Sequence, residues 1–484
     1  MRSAILLLTA AVACIGADLA ERVPALIDSV PAAKQSFWGI RVIDAQSGQL
    51  LYALNEDRFF VPASNTKLFT SSLALRRLGP DYKFRTRVAA PAKPDAEGRI
   101  AEIRLLGGGD PNLSARMIPY NKDEKNPDAL AALRKLAEQV AASGVKVIAG
   151  DVIGDDTAYV SEPFPPGWGL DDPIYEYGAP VSALTLNDNA FEVTVFPGAE
   201  AGAPGSLALN PPVEYFTIVN RTLTADTGKT QLSFRRVPGS RELIVTGTVV
   251  TGQKIEAELV AVDDPALYAA TAFRQLLEQR GIRIDGITRA AHRRVGDESP
   301  VFEGEELAVH ESAPLSQILV ISNKVSQNLH TELVLREISR VANGIGSRRE
   351  GLKMIAAYLK EIGVEEGQWN FEDASGMSRL GLVTPATVSK LLQAMYAHPL
   401  YDLWLTTLPI GGFDGTLEKR FDKLELAQRI HAKTGSLSHV AALSGYALRP
   451  DGKTYIFSIL VNNFQAEAKV IRATMDKVAL AFLE

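Results

Sequence analysis

One cysteine, Cys14, is all the thiol that the 484 residues contain. It lies in an almost unbroken apolar run, Ala4 to Ile15, that follows Met1-Arg2. That is the pattern of a signal peptide, here taken as Met1–Ala17, and it is too short to span a bilayer. Export follows, and the remaining chain has no disulfide, no cysteine nucleophile and no thiolate metal site. Two alternatives stay open: cleavage before Cys14 leaving a lipidated N-terminus, and a buried N-terminal helix. Histidine is also scarce. His292, His310, His330, His398, His431 and His439 form no His-Glu-x-x-His pair and no ligand spacing, so no metal or other cofactor is expected. His431 and His439 flank Lys433 but stay unassigned. Excess positive charge is missing too: the formal net charge is -6 and the pI about 5.7, which argues against a nucleic-acid partner. No Gly-x-Ser-x-Gly elbow exists, the Gly-Lys-Thr triplets at Gly228 and Gly452 lack the earlier glycine of a phosphate loop, and Gly107 to Asp110 runs into Pro111 where a nucleotide-binding helix would start. Beyond the leader no apolar run reaches membrane-spanning length.

What is present is a nucleophile set. Ser64-Asn65-Thr66-Lys67 places a lysine three residues after a serine, on the same face of a helix, where it is the nearest base for the hydroxyl. A lysine accepts a proton near neutrality only if its pKa is depressed by burial and a second cation, and Lys433 is the candidate cation. Ser326-Gln327-Asn328 and Lys433-Thr434-Gly435-Ser436 follow in the chain. Each alone reads as readily as a helix turn, a cap or a loop. The order Ser-x-x-Lys, Ser-x-Asn, Lys-Thr-Gly is the signature of acylated serine enzymes.

Periodicity places the motifs on elements. Trp38–Ile43 and Gln49–Ala53 read as a hairpin about Asp44–Gly48, and Ser64 opens a helix carrying Leu68, Leu75 and Leu78 before Gly79-Pro80. About 260 residues then separate Lys67 from Ser326, far more than a two-lobed hydrolase needs, so an insertion is expected. Within it, Arg99–Leu105 and Val145–Val152 read as strands, Asp128–Ser143 and Pro265–Arg280 as helices, and Leu232–Val237 and Glu242–Val250 as a small β-rich unit after a Gly/Ala/Pro-rich break at Gly198–Gly205. Ser326 and Asn328 sit at a helix junction. Lys433 ends an extended segment followed by strands Ala441–Leu448 and Thr454–Val461, an edge on which an extended peptide could pair.

With these motifs the chain resembles the class C low-molecular-mass penicillin-binding proteins, the D-alanyl-D-alanine carboxypeptidases and endopeptidases of peptidoglycan. Further stretches carry the likeness: Phe59–Ser64, Gly108–Pro111, Gly154–Asp156, Tyr177–Leu184, Asp373–Ser378 and Leu408–Ile410. The resemblance implies an α+β multidomain fold, with a penicillin-binding transpeptidase/β-lactamase-like core of antiparallel sheet, flanking helices and a helical subdomain. It also implies two nested inserted domains: 18–84 with 305–484 as the catalytic part, 85–180 with 256–304 as the second domain, and 181–255 as the third. It implies that Ser64 is acylated, Lys67 accepts its proton, and the backbone N–H groups of Ser64 and Ser436 form the oxyanion hole. Ser326, bonded between the two lysines, would pass the proton on. Asn328 would bind the substrate amide, and Lys433, Thr434, Gly435 and Ser436 the terminal carboxylate. Expected partners are muropeptides ending in D-Ala-D-Ala or joined by D-Ala cross-links, β-lactams as inhibitors, and peripheral contact with a membrane. The location would be the periplasm or cell-wall space. Asp155 and Asp156 could reach a cationic muropeptide side chain, but paired acids in a loop are more often solvated or capping. Gln327 stands where the motif's familiar form has aspartate. A serine β-lactamase or esterase, and more distantly a non-catalytic wall-binding scaffold, are the rival readings.

Overall fold

The segment Thr454–Asn462 is apolar at six of its nine positions, with Ser458 the one polar residue between its ends, and a strand of that kind is buried on both faces. In the computed structural model, which describes residues 18–114, 116–123, 128–236, 240–253, 257–422 and 424–484, it is the central strand of a five-stranded antiparallel sheet. We number the strands β1 (Phe37–Asp44), β2 (Leu50–Leu54), β3 (Ile430–Leu437), β4 (Val440–Leu448) and β5 (Thr454–Asn462). Their order across the sheet is β3-β4-β5-β1-β2. The proposed leader, with Cys14, lies outside the described residues.

Alternation along β5 divides the core. Ile456 and Leu460 face one side, where they pack with Leu68, Phe69, Leu73 and Trp404. Phe457, Ile459 and Val461 face the other, where Trp38 of β1 also points, against Val23, Ile27, Met475 and Phe482 of the closing layer, which comprises the C-terminal helix Ala468–Ala481 and an N-terminal helix at 18–28. Three helices on the first side carry or support the motifs: α1 (Thr66–Arg77), α2 (Leu315–Lys324) and α3 (Asn328–Asn343).

The insertion has its own core, in which Leu133, Leu136, Val152 and Phe273 are buried together. Its main sheet runs Thr288–Arg293, Val152–Val160, Ile103–Leu106, Arg85–Ala90, Glu305–Glu311. Glu305–Glu311, read from sequence as catalytic, is thus an edge strand of the inserted sheet, paired antiparallel to Arg85–Ala90. Glu258–Ala261 likewise pairs with Ala190–Phe196 of the small β-rich unit. On these pairings we propose that the insertion returns after Glu311 and the small unit after Ala261. The expected strand Val145–Val152 is two: Ala149 N donates to Ile100 O, while Val152 N donates to Ile287 O, so the chain changes sheets between them. Among the described residues no helix is long and apolar enough to cross a membrane.

Candidate active site

Pro62 ends the extended approach to the nucleophile, and the next residue, Ala63, has a positive φ of 47°. The chain then makes a single 3-10 turn, Ala63–Asn65, before α1 begins at Thr66. Ser64 therefore sits in the turn leading into the helix. The turn is fixed from two sides. Asn462 of β5 accepts from Val61 N at 2.8 Å, and Asn65 Nδ2 donates to Lys433 O at 3.0 Å, joining the first motif to the third. Gly435 is required where it stands: a Cβ there would lie 2.8 Å from Pro62 O and 3.1 Å from Ala63 Cβ, so only glycine lets β3 approach the nucleophile turn this closely.

Lys67 has no exposed surface. Its Nζ donates to Ser64 Oγ at 2.9 Å, Asn328 Oδ1 at 2.6 Å and Ser375 O at 2.6 Å. Lys433 Nζ donates to Ser326 Oγ at 2.8 Å and Thr434 O at 3.0 Å. The five residues singled out by sequence are thus brought to one place, with one difference from the expected wiring. Among the described residues Ser326 is bonded to Lys433 alone of the two lysines, and it is Asn328 that reaches Lys67. Thr434 Oγ1 bonds Thr416 Oγ1 at 2.7 Å, and Ser436 is exposed on β3. The start of β3 is covered by Pro409–Gly411, through Ala432 N to Pro409 O and Gly411 N to Ile430 O. As an edge strand of its sheet, β3 presents the stretch that carries the motif on the side away from β4.

Burial is the leading cause of the Lys67 shift: it lowers the amine to about 7 against the opposing pull of Asp373 and Glu332. Lys433 is lowered well below its usual range, again by burial first and by the charge of Lys67 second. Lys433, expected from sequence to depress Lys67 as a second cation, is not among the causes acting on Lys67; burial lowers that amine, and the influence runs the other way, from Lys67 onto Lys433. Asp373 is raised to about 6 by burial and by Glu332.

Glu332 and Asp373 were not assigned from the sequence. Glu332 lies one helical turn after Asn328 on α3, accepts the N–H groups of Ala374 and Ser375 at 2.8 and 2.9 Å, and is paired with Arg336 at 2.9 Å. It thereby fixes the Ser375 carbonyl that receives Lys67. Asp373 accepts from Trp168 Nε1, Ser375 Oγ and the N–H groups of Gly376 and Ser378. The available signal was the i, i+4 spacing of Asn328 and Glu332 on one helix face. Asp155 and Asp156 are both buried and engaged, Asp155 with Arg104 and Thr157, Asp156 with Ser182 and His292. His431 is half-buried and pushed down by burial, and His439 bonds Phe464 O at 2.7 Å. Among the described residues no group of three or more His, Cys, Asp or Glu is placed to hold a metal ion.

Gly376 has φ of 82°, and a Cβ there would lie 1.8 Å from Ala63 O. Gly376→Ala is expected to lower stability by more than about 1 kcal/mol and to push the Ser64 turn out of register, which thermal melting will show. An unchanged melting temperature would contradict this.

Residues 19–481 match the family described as D-Ala-D-Ala carboxypeptidase 3 (S13). The chain is 34% identical over 479 residues to a D-alanyl-D-alanine carboxypeptidase of Actinomadura sp. (strain R39), covering 96% of this chain and 85% of the relative. It is 25% identical to the D-alanyl-D-alanine carboxypeptidase DacB of Haemophilus influenzae, covering 88% and 86%. Its fold is similar to the crystal structure of penicillin binding protein 4 from Haemophilus influenzae, with a TM-score of 0.81 and 24% identity over 95% of this chain and 98% of that one.

Proposed function

The chain belongs to the D-Ala-D-Ala carboxypeptidase 3 (S13) family and is a serine DD-peptidase, and from that premise we propose how its site works and what it meets. The substrate is a peptidoglycan stem peptide ending in D-Ala-D-Ala, or a D-alanyl cross-link between stems, and β-lactams acylate the same serine. Cell-wall material of this kind lies outside the cytoplasmic membrane, in keeping with a leader at Met1–Ala17.

The observation that carries the reading is the contact of a wholly buried Lys67 Nζ with Ser64 Oγ at 2.9 Å. Ser64 Oγ attacks the carbonyl of the penultimate D-alanine, and its proton passes to the free amine of Lys67. The new C–O bond places negative charge on the carbonyl oxygen, to be met by the N–H groups of Ser64 and Ser436. When the C–N bond breaks, the departing amine takes the Ser326 hydroxyl proton, which Lys433, bonded to that oxygen at 2.8 Å, replaces, so that Lys433 gives up one proton while Lys67 keeps the one taken from Ser64. A terminal carboxylate beside Thr434 and Ser436 supplies Lys433 with the anion that its dry setting lacks, favouring the charged form of that lysine once substrate is bound. Asn328 is already engaged at both ends of its amide, so its first task is to hold Lys67, and a substrate amide must displace one of those bonds. Water then hydrolyses the acyl-enzyme.

Acylation should follow the free amine of Lys67. Below about pH 7 the amine is protonated and cannot accept, so the rate should rise with pH through about 7 and level off above it. Stopped-flow acylation across that range checks this, and a rate that is flat from about pH 5 to 9 would remove Lys67 as the base.

The direct test is intact-protein mass spectrometry after benzylpenicillin, with peptide mapping to Ser64 and a parallel assay of D-alanine release from a D-Ala-D-Ala muropeptide. A long-lived adduct on Ser64 with D-alanine release is expected. A rapidly cleared adduct without release would mark a β-lactamase, and no adduct with intact antibiotic would overturn the assignment.

A further inference from the structure

We propose that the insertion supplies positioning residues for the proton path: the turn Glu176–Gly178 sets the amides of Gln327 and Asn328, and through Asn328 the amine of Lys67. This rests on the reading of Ser64 and Lys67 given above.

Ser326 is held at φ of 63°, a left-handed conformation that a serine keeps only when its surroundings impose it. The two residues after it are gripped by the insertion. Gln327 is the N-cap of α3: its Oε1 accepts from His330 N at 3.2 Å, and its Nε2 donates to Glu176 Oε1 at 2.6 Å. Asn328 Nδ2 donates to the Tyr177 carbonyl at 2.8 Å, while its Oδ1 accepts from Lys67 at 2.6 Å. A side-chain amide has a donor end and an acceptor end and is free to flip unless a one-sided partner decides. A backbone carbonyl and a carboxylate only accept. Tyr177 O therefore turns the oxygen of Asn328 toward Lys67, and Glu176 turns the oxygen of Gln327 toward the helix it caps.

Glu176 is itself held. Arg116 Nη2 donates to it at 3.0 Å, Arg116 Nε bonds Asp188, and Asp188 Oδ1 meets His330 Nε2 at 3.0 Å, returning the network to α3. Glu176, Arg116 and Asp188 all belong to the insertion. An aspartate at position 327 would cap α3, but with one methylene fewer and a negative charge it would face the Glu176 carboxylate. Glutamine spans both partners, which gives the departure at the motif's middle position a physical reason.

The test uses the mature chain, the acylation rate constant for a chromogenic cephalosporin, and the number of sites titrated per chain. Gln327→Glu sets two carboxylates against each other and is expected to slow acylation about tenfold or more. Adding Glu176→Gln to it reverses donor and acceptor and is expected to bring the rate back to within about threefold of the unaltered chain. Gln327→Asn, too short for Glu176, is expected to slow acylation about five- to tenfold. In each case about one site per chain should still titrate, because a merely structural loss would lower the number of sites and leave the rate of the survivors alone. Should Gln327→Glu fail to fold, the Gln327→Asn rate carries the test. Unaltered rates in both single variants, or a pair as slow as Gln327→Glu alone, would overturn the inference. An unaltered chain that takes no label would overturn the reading of Ser64 along with it.

Discussion

Lys67→Met is expected to slow the acylation of Ser64 by about 10²–10⁴-fold, the usual contribution of a positioned general base. Methionine keeps the length and apolar bulk of the stem and removes only the amine, so the loss is chemical before it is steric. Nothing nearby is placed to substitute. Lys433 is turned to Ser326 and Thr434 O, and among the described residues no histidine is bonded to Ser64. Two hydrogen bonds are also lost inside the protein, leaving Asn328 Oδ1 and Ser375 O without that donor, at a cost of about 1–3 kcal/mol each. Fold and catalysis must therefore be read apart. Circular dichroism reports the first, and nitrocefin acylation by stopped flow the second. A folded Lys67→Met chain acylated within about tenfold of the unaltered rate would show that the base lies elsewhere.

Arg336→Met is expected to reduce the unfolding free energy by about 3–5 kcal/mol. The guanidinium is 1% exposed, donates to Glu332 Oε2 and to two backbone carbonyls, and is the ion-pair partner of a carboxylate with no exposed surface. Without it a buried carboxylate is left facing Lys67 and Asp373. Glu332→Gln added to Arg336→Met should recover part of the loss, because an amide leaves no orphan charge. Guanidinium unfolding midpoints will separate the two variants. A single variant within about 1 kcal/mol of the unaltered chain would mean that the pair is not what compensates Glu332.

The motifs were legible because each is local: a serine and lysine three apart on one helix, a glycine where a strand must come close, a lysine on an edge strand. The hairpin β1–β2 and the strands β4 and β5 were legible because alternation and β-branched content are written along each segment. Glu332 and Asp373 were not, because what makes them matter is burial and proximity across 41 positions of chain, as in the bond from Ala374 N to Glu332 at a separation of 42. The wiring of Ser326 and Asn328 was missed for a related reason. Residues that flank one turn can each reach either lysine, and the decision is made by Tyr177 and Glu176, which are 151 positions upstream. The pairing of Glu305–Glu311 with a segment more than two hundred residues away was not legible either, since an edge strand carries too little apolar pattern to show which sheet owns it.

The sheet that holds the site is assembled from the two ends of the chain: β1 and β2 come first, β3 to β5 last, and Trp38 pairs with Val461. The bond between Asn65 and Lys433 closes 368 positions. During synthesis, then, the nucleophile helix emerges early with no sheet to lie on, while the insertion, with a core of its own, can fold first. Activity is a property of the finished chain alone. A growing chain halted anywhere before β5 carries Ser64 and Lys67 but not the dry pocket that frees the amine, which delays the appearance of a reactive serine until β5 has been made and has paired with β1.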